Sequence, residues 1–210
     1  MTAERRQALI DWAVKMGVPV IEDDAYGFLA GPDKPSLMTL RADAPIVHLN
    51  TFSKVLAPGL RVGVVVAPPD VIRQLVSLKQ LSDLHTATLS QLVVEGWLRL
   101  GQIDRHIRRA QVLYGTRLKT AIKFLTRDRT LSLFLEPQQG FYLFVRLPHG
   151  LRSQPLHQLA GARDVLFAVG DPFSPAQDMP DWLRISVSAR PVAQIEVGLR
   201  RLVRLIQDQS

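Results

Sequence analysis

Asn50-Thr51-Phe52-Ser53-Lys54-Val55-Leu56-Ala57-Pro58-Gly59-Leu60-Arg61-Val62-Gly63 sets one lysine among hydroxyl side chains, followed by a Pro-Gly turn, an arginine and a valine-rich run. Residues 46–50, Ile-Val-His-Leu-Asn, read as a strand entering this stretch. Residues 61–67 leave it as a continuous β-branched run, the pattern of a strand buried on both faces. A lysine between two such strands is either a solvated cation or an amine held to form a Schiff base with a carbonyl group.

Working outward, residues 3–16 read as a helix with Ala8, Leu9, Trp12, Ala13 and Met16 on one face, ended by Gly17. The short apolar run 18–21 then leads into Glu22-Asp23-Asp24-Ala25-Tyr26, which puts acids where an open α/β sheet binds ligands. Turn signals at Gly31-Pro32 and Lys34-Pro35 bracket a loop, with a short helix over 36–41. Downstream of the lysine, Pro68-Pro69-Asp70 stops the valine run and opens a helix through Leu81. A helix over 88–100 carries Leu89, Leu92, Val93 and Gly96 on one side, and a longer one runs from 103 to about 127. The style then changes. Strands at 130–136 and 141–147 flank a hairpin at Pro137-Gln138-Gln139-Gly140, a helix covers 153–162, and strands follow at 165–169 and 182–188. The last strand alternates Leu183, Ile185 and Val187 against Arg184, Ser186 and Ser188. A final helix over 192–207 buries Ile195, Leu199, Leu202, Val203 and Ile206.

The fold class is therefore α/β, with 210 residues enough for one large or two small domains. There is no cysteine, which excludes disulfides, thiolate nucleophiles and cysteine-ligated metals. The five histidines are scattered without ligand spacing, so no metal is expected. No apolar run reaches the length of a membrane span and the N-terminal residues lack a signal core, so a cytoplasmic address is expected. The net charge of +7 is spread along several helices without aromatic interleaving, which argues against nucleic-acid binding by this chain.

The combination Glu22-Asp23-Asp24-Ala25-Tyr26 and Thr51-Phe52-Ser53-Lys54-x-Leu56-Ala57-Pro58-Gly59-Leu60-Arg61-x-Gly63 resembles the fold-type I, pyridoxal-phosphate-dependent class I/II aminotransferases, nearest their aminoadipate/aromatic subgroup. Leu84-His85-Thr86-Ala87-Thr88-Leu89-Ser90-Gln91, the 137–144 hairpin and the 183–188 strand share the likeness, which covers essentially the whole chain. The resemblance implies transfer of an amino group from an α-amino acid to a 2-oxo acid. In it Lys54 would form the aldimine with pyridoxal 5'-phosphate and move the substrate proton. Asp23, at the family's Asp-x-x-Tyr spacing, would pair with the pyridine nitrogen, and Tyr26 would bond the phenolic oxygen. Thr51, Ser53 and Arg61 would hold the phosphate, and Arg184 would clamp the substrate α-carboxylate. The family's sites are shared across a homodimer.

The resemblance also implies a domain division: 1–103 as the C-terminal part of a large cofactor domain, 104–128 as a connecting helix, and 129–210 as a small C-terminal domain. The amide cup for the phosphate, the ring-stacking aromatic and an N-terminal arm lie upstream in the family and have no counterpart here, so the chain is expected to correspond to the C-terminal portion. The hairpin departs from the family's Pro-x-Gly-Gly, with Gln139 in place of a glycine. Three alternatives stay open: a cofactor-sensing domain of a MocR-type transcription regulator, an inactive truncated product, or lyase or decarboxylase chemistry on the same lysine.

Overall fold

The computed structural model describes residues 1–31 and 35–209, so the turn signals at Pro32 and Lys34 lie outside the described residues. The chain forms two compact units, Met1–Gln111 and Val112–Ser210.

The first unit opens with α1 (Ala3–Met16), whose N-cap Thr2 accepts a hydrogen bond from the Arg5 amide and whose C-cap Gly17 takes φ 63°. Then come β1 (Val20–Asp23), the single turns α2 (Gly27–Ala30) and α3 (Leu37–Leu40), and β2 (Ile46–Thr51). Two 3₁₀ turns, Phe52–Lys54 and Pro58–Leu60, precede β3 (Gly63–Val66), α4 (Pro69–Ser82) and α5 (Thr88–Arg99). The sheet order is β1-β2-β3, with β1 parallel and β3 antiparallel to β2. Its core joins Ile10 of α1 to Leu37 of α3 and Ile46 of β2, with Leu9, Val20 and Met38 packed alongside.

The 27-residue α6 (Gln102–Asp128) carries the chain from the first unit into the second, with the division between units at Gln111/Val112 inside it. The second unit adds β4 (Ser132–Leu133), β5 (Tyr142–Arg146), α7 (Ser153–Ala160), β6 (Ala168–Val169), β7 (Trp182–Ser186) and α8 (Val192–Gln207). Its antiparallel sheet runs β4-β5-β7-β6. Leu143, Val145 and Leu183 on one face are fully buried against Leu118, Ala121 and Leu125 of α6 and Leu199, Leu202 and Ile206 of α8.

Several faces differ from the sequence expectation. In α1 the buried residues are Ile10 and Ala13, while Ala8, Trp12 and Met16 are exposed, because the face turned to Leu37 and Ile46 is centred on Ile10. β3 is not buried on both faces: Val64, Val65 and Val66 are 39%, 41% and 44% exposed. A β-branched run reports strand propensity, whereas burial needs a covering layer, and no residue of α4 is buried. In α5 only Val94 is buried, and Leu89, Leu92 and Val93 face out. The strands expected at 130–136 and 165–169 shrink to two residues each. Val165 spends its amide on Ala160 O, 3.1 Å away, which closes α7 instead of extending β6.

Candidate active site

Asp23 pairs with Leu49 in parallel register, and Gly63 pairs with Thr51 in antiparallel register. The end of β1, the end of β2 and the turn at Arg61 therefore share one end of the first sheet. This is the C-terminal end of its two parallel strands, where open α/β sheets carry ligand sites.

Lys54 closes the 3₁₀ turn after β2, and its Nζ lies 6.0 Å from the centroid of the Tyr26 ring. That is the outer reach of a cation–π contact. Phe28 stacks on Phe52 at 5.8 Å, packing the segment after Tyr26 against the lysine's turn. Thr51 Oγ1 accepts from the Ser53 amide at 3.1 Å and lies 3.0 Å from Ser53 Oγ, so the two hydroxyls form one polar patch directly before Lys54. Arg61 has φ 56° and ψ 37°, a left-handed conformation rare for a side chain of its size. Its guanidinium is exposed, with Nη1 donating to Pro58 O at 3.3 Å. Asp23 is exposed at the tip of β1.

The acids either side of Asp23 do different work. Glu22 accepts from the Leu37 amide at 2.9 and 3.0 Å, from Arg6 Nη2 at 3.3 Å, and lies 3.0 Å from His48 Nδ1. It ties α1, α3 and β2 to β1. Burial, and secondarily the Glu22 charge, push the Asp24 carboxyl above its ordinary value. Gly27 gives it room: a Cβ there would meet Asp24 Oδ2 at 1.9 Å, so the carboxylate would have to turn away.

Arg184 stands in the second unit on β7, with Phe144 beside it on β5 and Ala168 on β6. Its guanidinium carbon lies 4.1 Å from the Tyr142 ring centroid and 4.4 Å from that of Phe173. Among the described residues it forms no salt bridge. Gln139, the departure in the hairpin, carries no positive φ; the following Gly140 takes it, at 100°, so the glutamine adds no left-handed strain.

The structure thus brings Asp23, Tyr26, Thr51, Ser53, Lys54 and Arg61 to one sheet end, with Arg184 on the second sheet. Sequence reading missed Glu22 and His48 as a structural pair, and Tyr142 and Phe173 as neighbours of Arg184. The alternations Tyr142-x-Phe144 and Trp182-x-Arg184 were a usable signal, since paired strands share a face. Phe173, in an irregular segment, offered none.

The sequence profile of the family "Aminotransferase class I and II" matches residues 1–202. The chain is 33% identical over 208 residues to 2-aminoadipate transaminase of Thermus thermophilus, covering 96% of this chain and 52% of that protein. It is 25% identical to an HTH-type transcriptional regulator of Bacillus subtilis, covering 99% of this chain and 43% of the regulator. Among solved structures, α-aminoadipate aminotransferase from Thermus thermophilus, complexed with N-(5'-phosphopyridoxyl)-L-leucine, superposes with a TM-score of 0.91 at 33% identity, over 99% of this chain and 55% of that one. The chain spans about half the length of the curated relatives it matches.

Proposed function

The chain belongs to the class I and II aminotransferases, and we propose that it carries the lysine-bearing half of a site that transfers an amino group from an α-amino acid to a 2-oxo acid with pyridoxal 5'-phosphate. The observation that carries this reading is the gathering of an amine, two hydroxyls, a guanidinium, a phenol and a carboxylate at one sheet end. That donor set fits the cofactor: hydroxyls and a guanidinium suit a phosphate dianion, and a carboxylate suits a pyridinium nitrogen.

When bound, the cofactor supplies an aldehyde that condenses with amines and a ring that draws electrons from the substrate's Cα. Lys54 Nζ provides the resident amine and holds the proton that moves to and from Cα. Asp23 keeps the proton on the ring nitrogen, and Tyr26 donates to the phenolic oxygen. Thr51, Ser53 and Arg61 bind the phosphate, and Arg184 binds the substrate α-carboxylate through paired in-plane N–H groups. Residues 1–103 act as part of the cofactor domain, 104–128 as the connecting helix and 129–210 as the small domain. No helix among the described residues is long and apolar enough to cross a membrane; a cytoplasmic homodimer is the assembly that suits this reading.

Titration of the purified chain with pyridoxal phosphate, borohydride reduction and peptide mapping test it. A visible band and a label on Lys54 support the proposal; folded protein with neither refutes cofactor binding by this chain. The similarity to a transcriptional regulator favours a second reading, cofactor sensing without turnover. A half-reaction with an amino donor separates the two, since only an enzyme converts the band.

A further inference from the structure

Two arginines share the outer face of the second sheet, and they are compensated differently. β5 alternates Leu143 and Val145 into the core with Tyr142, Phe144 and Arg146 on the other side, and β7 pairs so that Trp182 faces Arg146 and Arg184 faces Phe144. Arg146 Nε donates to Asp181 Oδ2 at 2.5 Å, and its guanidinium lies 5.8 Å from the Trp182 ring. Arg184 is part-buried, yet among the described residues no acid reaches it. Two aromatic faces take the acid's place, at 4.1 and 4.4 Å.

The difference matters chemically. An aspartate occupies a guanidinium's in-plane N–H donors, whereas an aromatic ring attracts the cation through its π face and leaves those donors free. A carboxylate binds arginine in plane, two oxygens to two N–H groups. A guanidinium lying over ring faces is thus shielded on those faces, held in orientation and still open at its edge.

The rings are themselves fixed. Tyr142 is rooted in β5, next to β7. Phe173 ends the 3₁₀ turn Asp171–Phe173, where its amide donates to Gly170 O at 2.9 Å and Asp171 Oδ1 accepts from the Met179 amide at 3.0 Å. Gly170 lets that turn lie against β7: a Cβ there would meet Met179 O at 2.5 Å and Trp182 Cβ at 2.6 Å. Phe144 braces Phe173 edge-on at 5.9 Å and stacks on Trp182 at 5.2 Å. Ala168, Arg184's partner on β6, presents only a methyl group beside it.

We propose that Tyr142 and Phe173 are positioning residues that hold Arg184, uncommitted to any acid, as a receptor for a carboxylate ligand. This rests on Arg184 being the carboxylate-binding residue, as proposed above. The Tyr142 hydroxyl has no part in it; the ring face does the work.

The test is a titration of the whole ¹⁵N-labelled chain with pyruvate, the smallest 2-oxo acid, following the Arg184 Nε–Hε resonance, which is assigned by its loss in Arg184→Lys. Wild type and Tyr142→Phe should saturate with equal affinity. Tyr142→Leu and Phe173→Leu should each bind about fivefold more weakly, with the remaining amide spectrum unchanged. If both leucine variants keep native-like spectra and bind as wild type does, the positioning role is overturned and the carboxylate reading survives. If Arg184→Lys binds pyruvate as tightly as wild type, or wild type shows no Arg184 shift, the carboxylate reading falls and the positioning role with it.

Discussion

Arg61 offers the sharpest test, because one residue joins backbone strain to the proposed phosphate binding. At φ 56° and ψ 37° an L-residue carries roughly 1–2 kcal/mol of strain relative to ordinary helical backbone. Such strain persists where the surrounding structure fixes it, and it concentrates at functional sites. Arg61→Gly and Arg61→Ala both remove the guanidinium but differ in the backbone. Glycine relieves the strain and returns about 0.5–1 kcal/mol through its extra freedom in the unfolded chain, so Arg61→Gly should be more stable than Arg61→Ala by about 0.5–1 kcal/mol. Urea denaturation with matched slopes reads this directly. Both variants lose the same charge-assisted hydrogen bonding to phosphate, which is worth about 1.5–3 kcal/mol, so pyridoxal phosphate affinity should fall roughly 10- to 150-fold in each. Equal stability of the two variants would show that position 61 is not left-handed in solution. Wild-type cofactor affinity in both would remove Arg61 from the phosphate site.

Other outcomes follow from neighbouring features. Gly27→Ala drives a methyl into Asp24 and should lose about 1–3 kcal/mol by denaturation; the loss should shrink sharply in an Asp24→Ala background, and additive losses would rule out the contact. The Asp24 carboxyl, raised above its ordinary 3.8 by burial first and Glu22 second, binds its proton more tightly folded than unfolded. Its contribution is therefore present at low pH and declines as pH rises from about 3.8 through the raised value. The stability of wild type relative to Asp24→Asn should fall across that window, and a flat difference would contradict the shift. Leu183→Ala, at a side chain with no exposed surface, should lose about 2–5 kcal/mol by chemical denaturation; a loss under about 1 kcal/mol would deny the strand its place in the core.

The ends of α1 and α8 were legible because local chemistry sets them: Gly17 takes a positive φ, and Pro191 precedes a strongly periodic run. The strand-end placement of the lysine, its hydroxyl neighbours and the acid-tyrosine segment was legible because each follows directly on a short apolar run. Burial was less so. Val64, Val65 and Val66 read as a core strand, yet β-branching says only that a residue suits a pleated backbone, and what covers it is decided elsewhere in space. The Asp-x-x-Tyr spacing singled out Asp23, but nothing in the sequence pointed to the partners of Glu22; alternation along β1 sends Glu22 toward Arg6 and His48 and leaves Asp23 exposed. The Phe173–Arg184 contact was invisible because an irregular turn, held by the close approach of Gly170, creates it.

Lys54 and Arg184 are anchored with unequal stiffness. Arg184 grows from β7, hydrogen-bonded to strands on both sides. Lys54 grows from a three-residue 3₁₀ turn beyond the last pair of β2. Amide exchange follows local opening, and turns open at far lower free energy than paired central strands. The amides around Lys54 should exchange well before those of 183–185. The proposed carboxylate-binding arginine thus rests on the stiffer backbone of its own unit, and the lysine on a backbone that a ligand could order.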